Sequence, residues 1–168
     1  MLAGMILAAA ASRLIPHPPN FTPLAAIALF GGATFGDKRA AFLVPLAGLF
    51  LSDLALGLFA LTPVVYASFA LMVCLGFWIR RRRTAGRIAG AAVAGAILFF
   101  AITNFGVWAI DHLYPRTLAG LADCYIAAIP FFRNTLLSGL FYSSLLFGGI
   151  AAAENRFGSL RDGVVAAA

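Results

Sequence analysis

The sequence predicts an all-α fold, an integral membrane bundle of about six transmembrane helices forming one domain over residues 1–168. Three observations predict it. Hydrophobic residues make up 62% of the chain and charged residues only 11%, where a soluble domain has about a quarter of its residues charged. The apolar runs approach the roughly 20 residues that a helix needs to cross a hydrocarbon core of about 30 Å. The 12 Lys and Arg gather between those runs. The strands of an outer-membrane barrel would alternate polar and apolar residues, and these segments do not.

The elements follow in order. Residues 2–15 form a short first helix: the stretch lacks the basic start of a secretory signal, and Arg13 follows the apolar run instead of preceding it. Pro16, Pro18 and Pro19 break the helix, because proline lacks the N–H donor and clashes with the preceding turn. A second span covers 22–36 and ends in the polar turn Gly36-Asp37-Lys38-Arg39. The third covers 41–60, and Thr62-Pro63 restarts the chain as a fourth helix over 64–79. Arg80 to Arg83 with Arg87 close that span, and a fifth follows over 87–110. Asp123 and Pro130 interrupt 117–132, which reads as a short interfacial or re-entrant helix before the last span at 133–153.

Basic residues set the orientation. With the N-terminus inside, nine of the 12 fall on the cytoplasmic side: Lys38, Arg39, Arg80, Arg81, Arg82, Arg83, Arg87, Arg156 and Arg161. Arg13, Arg116 and Arg133 remain outside. The expected location is the cytoplasmic membrane, multi-pass, with both termini cytoplasmic. This distribution also speaks against nucleic acid, whose binding surfaces interleave basic and stacking residues on a polar face. Cys74 and Cys124 are too few for a disulfide scaffold.

Polar side chains inside a span need a reason. Asp53 falls roughly 12 Å inside the outer end of the third span, at 1.5 Å per residue. Tyr66 lies about one turn into the fourth. Asn104, Trp108 and His112 share a face of the fifth at i, i+4 and i+8, and Asn134, Ser138 and Tyr142 form a similar stripe on the sixth. These groups converge on the outer half, beneath connections that bring His17, Asn20 and Tyr125. The expected substrate-binding residues are therefore His17, Asn20, Asp53, Tyr66, Asn104, Trp108, Tyr125 and Asn134, around a site suited to a flat, partly polar organic ligand. Each has a structural alternative: a hydrogen-bond partner or helix cap for Asp53, a loop histidine that orders the proline turn for His17, an interfacial aromatic belt for the tyrosines and Trp108, and interhelical bonds for Asn104 and Asn134. Ala28, Gly32 and Gly36 form a small-residue ridge on the second span, either for packing within the bundle or for docking a partner.

No catalytic motif or metal-ligand spacing is present: the sequence has no HExxH, GxSxG or Walker A pattern, and its two histidines lie in outer loops. The chain is read as a non-enzyme without a resident cofactor.

The segments PHPPNFTPLAAIALFGGATF, VPLAGLFLSD, TNFGVW and YPRTLAGLADCYIAAIPFFRNTLL resemble an uncharacterised bacterial membrane family related to the S components of energy-coupling-factor (ECF) vitamin transporters. The resemblance implies a six-helix subunit that captures a vitamin or its precursor outside the cytoplasmic membrane. It also implies a coupling protein with two ATPase subunits that drives release. Cobalamin, the ligand of one solitary S-component group of similar size, is the leading expectation for the transported molecule. The AxxxA docking pattern of those proteins lies on the first helix, whereas its nearest match here is the Ala28–Gly32–Gly36 ridge on the second. Two other readings stand beside this one. One is a structural envelope protein resembling the rod-shape-determining MreD proteins. The other is an intramembrane enzyme using Asp53.

Overall fold

The structure is a computed structural model that describes residues 2–156, with side chains from Gly4 onward. Among these residues the secondary structure is entirely helical: α1 Leu2–Leu14, α2 Leu24–Thr34, α3 Lys38–Leu56, α4 Thr62–Ile79, α5 Ala85–Ile110 and α6 Leu118–Arg156. Arg161, counted above on the cytoplasmic side, lies outside the described residues.

Four helices, α3 to α6, are long and apolar enough to cross a membrane. Large apolar side chains also cover the outside of the bundle, among them Leu43, Leu54, Trp78, Ile97, Phe105, Ile129 and Leu145. A soluble surface does not tolerate that much contiguous apolar area, and the molecule is a helical membrane bundle. The other two helices are shorter. The 11 residues of α2 span about 17 Å and the 13 of α1 about 20 Å, at 1.5 Å per residue. The prolines explain this, since Pro16, Pro18 and Pro19 end α1 and Pro23 stands at the N-cap of α2.

Short α2 occupies the centre, where it packs on α3, α4, α5 and α6, while α1 lies at the edge against α3. The ridge on α2 is taken up inside the bundle. Ala28 is fully buried, and a Cβ on Gly32 would collide with the Val73 carbonyl of α4. Gly76 answers from α4, where a Cβ would collide with the Leu29 carbonyl. The two backbones thus cross in direct contact, as small-residue helix pairs do. This corrects the docking alternative for Ala28 and Gly32, which face α4; only Gly36, beyond the end of α2, is exposed.

A second correction concerns residues 117–132. They are not a separate helix but the first part of α6, which runs unbroken for 39 residues, roughly 58 Å. Asp123 and Pro130 lie on its exposed face. The opposite face carries Gly120, Cys124 and Ala128, all buried and four residues apart. Tyr125 Oη donates to Ala101 O at 2.6 Å and fixes this stretch to α5. The expected break rested on two residues that point away from the packed face.

At the end opposite the α1–α2 connection, Arg80 caps α2. Its Nε donates to Gly32 O at 3.1 Å and its Nη2 to Phe35 O. A cation there satisfies carbonyls left over at the helix C-terminus.

Candidate ligand cavity

The nine residues between α1 and α2 shape the site. Because α2 starts at Leu24, packed with Leu49 and Phe69 in one core cluster, the connection must descend into the bundle to reach it. Pro18 to Phe21 form a turn closed by Phe21 N–H donating to Pro18 O at 3.0 Å. Pro19 occupies its second position and Asn20, at φ 61°, its third, the pattern of a type II turn. Asparagine is among the few residues that tolerate positive φ.

The turn docks on α6. Asn134 Nδ2 donates to Pro19 O at 2.9 Å, and Ser138 Oγ to Asn20 O at 3.3 Å. The Phe21 ring packs on Tyr142 at 5.8 Å between centroids. The Asn134–Ser138–Tyr142 stripe therefore holds the loop. Irregular backbone inside a membrane bundle persists where protein buries it or where it lines a cavity, and here both conditions hold.

Beneath the turn lies a cavity of about 370 Å³. Arg13 enters it from the end of α1, His17, Asn20 and Thr22 from the connection, Leu49 and Leu56 from α3, and Val65, Phe69 and Met72 from α4. Phe99 of α5 with Thr135 and Ser138 of α6 close the far side. Leu24 and Ala25 form part of its wall. No side chain caps α2, so its first N–H groups, which lack intrahelical partners, add positive potential at this end of the cavity. A second cavity of about 290 Å³, between α5 and α6, shares Asn20, Phe99 and Thr135 with the first. The loop tip thus divides two adjoining spaces.

Arg13 is tied to α3. Its Nη1 donates to Asp53 Oδ1 at 2.5 Å and to Ser52 Oγ at 2.6 Å. Tyr66 Oη donates to the other Asp53 oxygen at 2.9 Å. Asp53 is 2% exposed, and a carboxylate that deep persists when paired and hydrogen-bonded.

A family model described as a family of unknown function, DUF6580, matches residues 1–160. The chain belongs to DUF6580. No curated protein matches it, and no solved structure does.

In this DUF6580 chain the eight residues expected from sequence separate into three groups. His17 and Asn20 line the larger cavity, and Asn20 and Asn104 the smaller one. Asp53 and Tyr66 stand behind Arg13 and line neither. Trp108, Tyr125 and Asn134 hold the frame: Trp108 Nε1 donates to Pro115 O at 3.0 Å, and the other two bind backbone as described. Asn104 Nδ2 donates to Phe100 O of its own helix. Sequence reasoning missed Arg13, Thr22 and Thr135. A signal for Arg13 was present, since a buried aspartate calls for a cation and the charge count expected only three basic residues on the outer side. Among the described residues no group of three His, Cys, Asp or Glu is placed to hold a metal.

Proposed function

We propose that this chain is a substrate-binding membrane subunit, similar to the S components of ECF transporters, that captures a small organic molecule from the extracytoplasmic side. One observation carries the reading: a cavity of about 370 Å³, apolar on most walls, with Arg13 at the end of α1 and His17 and Asn20 on the loop that covers it. Small-molecule sites have this size and this mixture of apolar wall and few polar groups. The reading places the loop outside and the chain in the bacterial cytoplasmic membrane with both termini inside, as the basic residues suggest. The reading is one of binding; Asp53, the residue that an intramembrane enzyme would use, is paired with Arg13 and Tyr66.

Volume narrows the ligand. A corrin with its nucleotide loop is several times larger than this cavity, so the proposal shifts from cobalamin to a smaller vitamin, precursor or nucleobase-like compound. Neither cysteine lines the cavity. Release into the cell would fall to a coupling protein with ATPase subunits, as the S-component resemblance implies. Its docking surface would lie elsewhere than Ala28 and Gly32, which α4 covers.

The test is a panel of vitamins and precursors added to the detergent-purified protein, read as thermal stabilisation. A ligand present at 100 times its Kd adds about 2.7 kcal/mol to stability. A well-folded protein stabilised by no compound would favour the structural, MreD-like reading.

A further inference from the structure

A second site lies at the other end of the molecule. Two buried side-chain polar atoms lack a partner among the described residues, Arg83 Nη1 and Ser143 Oγ. Native proteins satisfy nearly all such atoms, and each exception calls for an explanation. Both residues line the same groove, a space of about 400 Å³ between the start of α5 and the second half of α6. From Leu140 to Ala151 the groove follows α6 for about 16 Å. Apart from Ser144, whose hydroxyl is bonded to Leu140 O, its remaining walls are apolar, with Ile88 and Phe147 prominent, and Arg83 is the charged residue among those that line it.

The surroundings set the depth and the charge. Arg81, Arg82 and Arg87 are exposed nearby in sequence, and Arg87 lies over the ring of Trp78 at 5.8 Å. Trp78 is 64% exposed, as expected of an aromatic anchor at the membrane–water interface. Among the described residues one carboxylate pairs with an arginine here: Glu154 Oε1 accepts from Arg83 Nη2 at 3.3 Å. That bond leaves Nη1 buried and without a partner, so a phosphate in the groove meets it through a small turn of the part-exposed guanidinium. A groove with a guanidinium, an apolar wall for a chain and a hydroxyl that lacks a partner matches one chemistry, a phosphodiester carried on acyl chains. Basic pockets at helix ends near the interface bind such head groups.

We propose that the α5–α6 groove binds one anionic phospholipid, its phosphate on Arg83 Nη1, its glycerol or ester oxygens toward Ser143 and an acyl chain along Ile88 and Phe147. The site is separate from the ligand cavity, and its test does not depend on that cavity.

Native mass spectrometry of the whole, delipidated protein provides the test, with added phosphatidylglycerol, phosphatidylcholine or inorganic phosphate. The expected result is a single phosphatidylglycerol adduct at least tenfold more abundant than the phosphatidylcholine adduct, with no effect of inorganic phosphate. Gly148→Leu places a side chain into the groove, where an added Cβ meets nothing within 4 Å, and should remove the adduct. Gly149→Leu, equally unobstructed but outside the groove, should keep it. Arg83→Gln should reduce the adduct at least tenfold, while Glu154→Gln, which frees the guanidinium, should preserve or strengthen it. Equal binding of the two lipids, an adduct unchanged in Gly148→Leu, or competition by inorganic phosphate would each overturn the lipid assignment.

Discussion

Arg13 at the end of α1 and Asp53 near the end of α3 form an ion pair 2.5 Å long, with the carboxylate 2% exposed and Tyr66 bonded to its second oxygen. The pair attaches the peripheral helix to the bundle and leaves Arg13 along the cavity wall. Removing one partner leaves the other charge without compensation.

Asp53→Ala is therefore expected to destabilise the protein by about 3 kcal/mol, the cost of breaking a buried pair. Arg13→Ala should cost a similar amount, and the double variant clearly less than the sum of the two. Thermal unfolding in detergent, arranged as a double-mutant cycle, measures the coupling. Additive losses would show that the pair contributes nothing of its own.

The α2–α4 crossing makes a sharper prediction. Gly32→Ala puts a Cβ against the Val73 carbonyl, a backbone atom that cannot rotate away, and should cost about 3 kcal/mol or prevent folding. Gly149→Ala, with nothing within 4 Å of the new carbon, should instead stabilise by roughly 0.5–1 kcal/mol through helix propensity. The same unfolding assay distinguishes the two.

Asn20 tests the site itself. Asn20→Gly keeps the positive φ of the turn and removes only the amide, so affinity for the ligand should fall about tenfold, the loss of one hydrogen bond, at nearly unchanged stability. Asn20→Val, a β-branched residue forced to φ 61°, should lower both. Titration calorimetry alongside thermal unfolding separates these outcomes.

Loop docking has its own signature. Asn134→Ala with Ser138→Ala removes the bonds to Pro19 and Asn20 carbonyls, each worth about 1 kcal/mol. The 15–23 connection should then be cut faster by protease while the helices stay intact. An unchanged cleavage rate would mean that Phe21 packing alone holds the loop.

The ease of reading these features from sequence varied for physical reasons. The helices were legible because proline, the Gly36–Asp37 turn and the arginine cluster punctuate apolar runs. The Asn134–Ser138–Tyr142 stripe was legible too, because i, i+4 spacing puts residues on one helix face. Its partner was not, since the descent of the loop follows from where α2 begins within the bundle. For the same reason Asp53 was visible as an anomaly, while Arg13, its partner 40 positions away, was counted as an outer charge. Pro130 pointed to a break, but α6 continues through it, held to α5 by the Tyr125 and Cys124 bonds to Ala101 and Asn104 carbonyls.

The measurement that bears most directly on the central claim is native mass spectrometry of the gently purified protein beside an Ala25→Phe variant, whose ring would fill the cavity from the start of α2. The account predicts a small organic molecule held one to one by the wild type and absent from the variant, with both proteins folded. A wild-type protein that carries no such molecule, or a molecule retained equally by the variant, would contradict it.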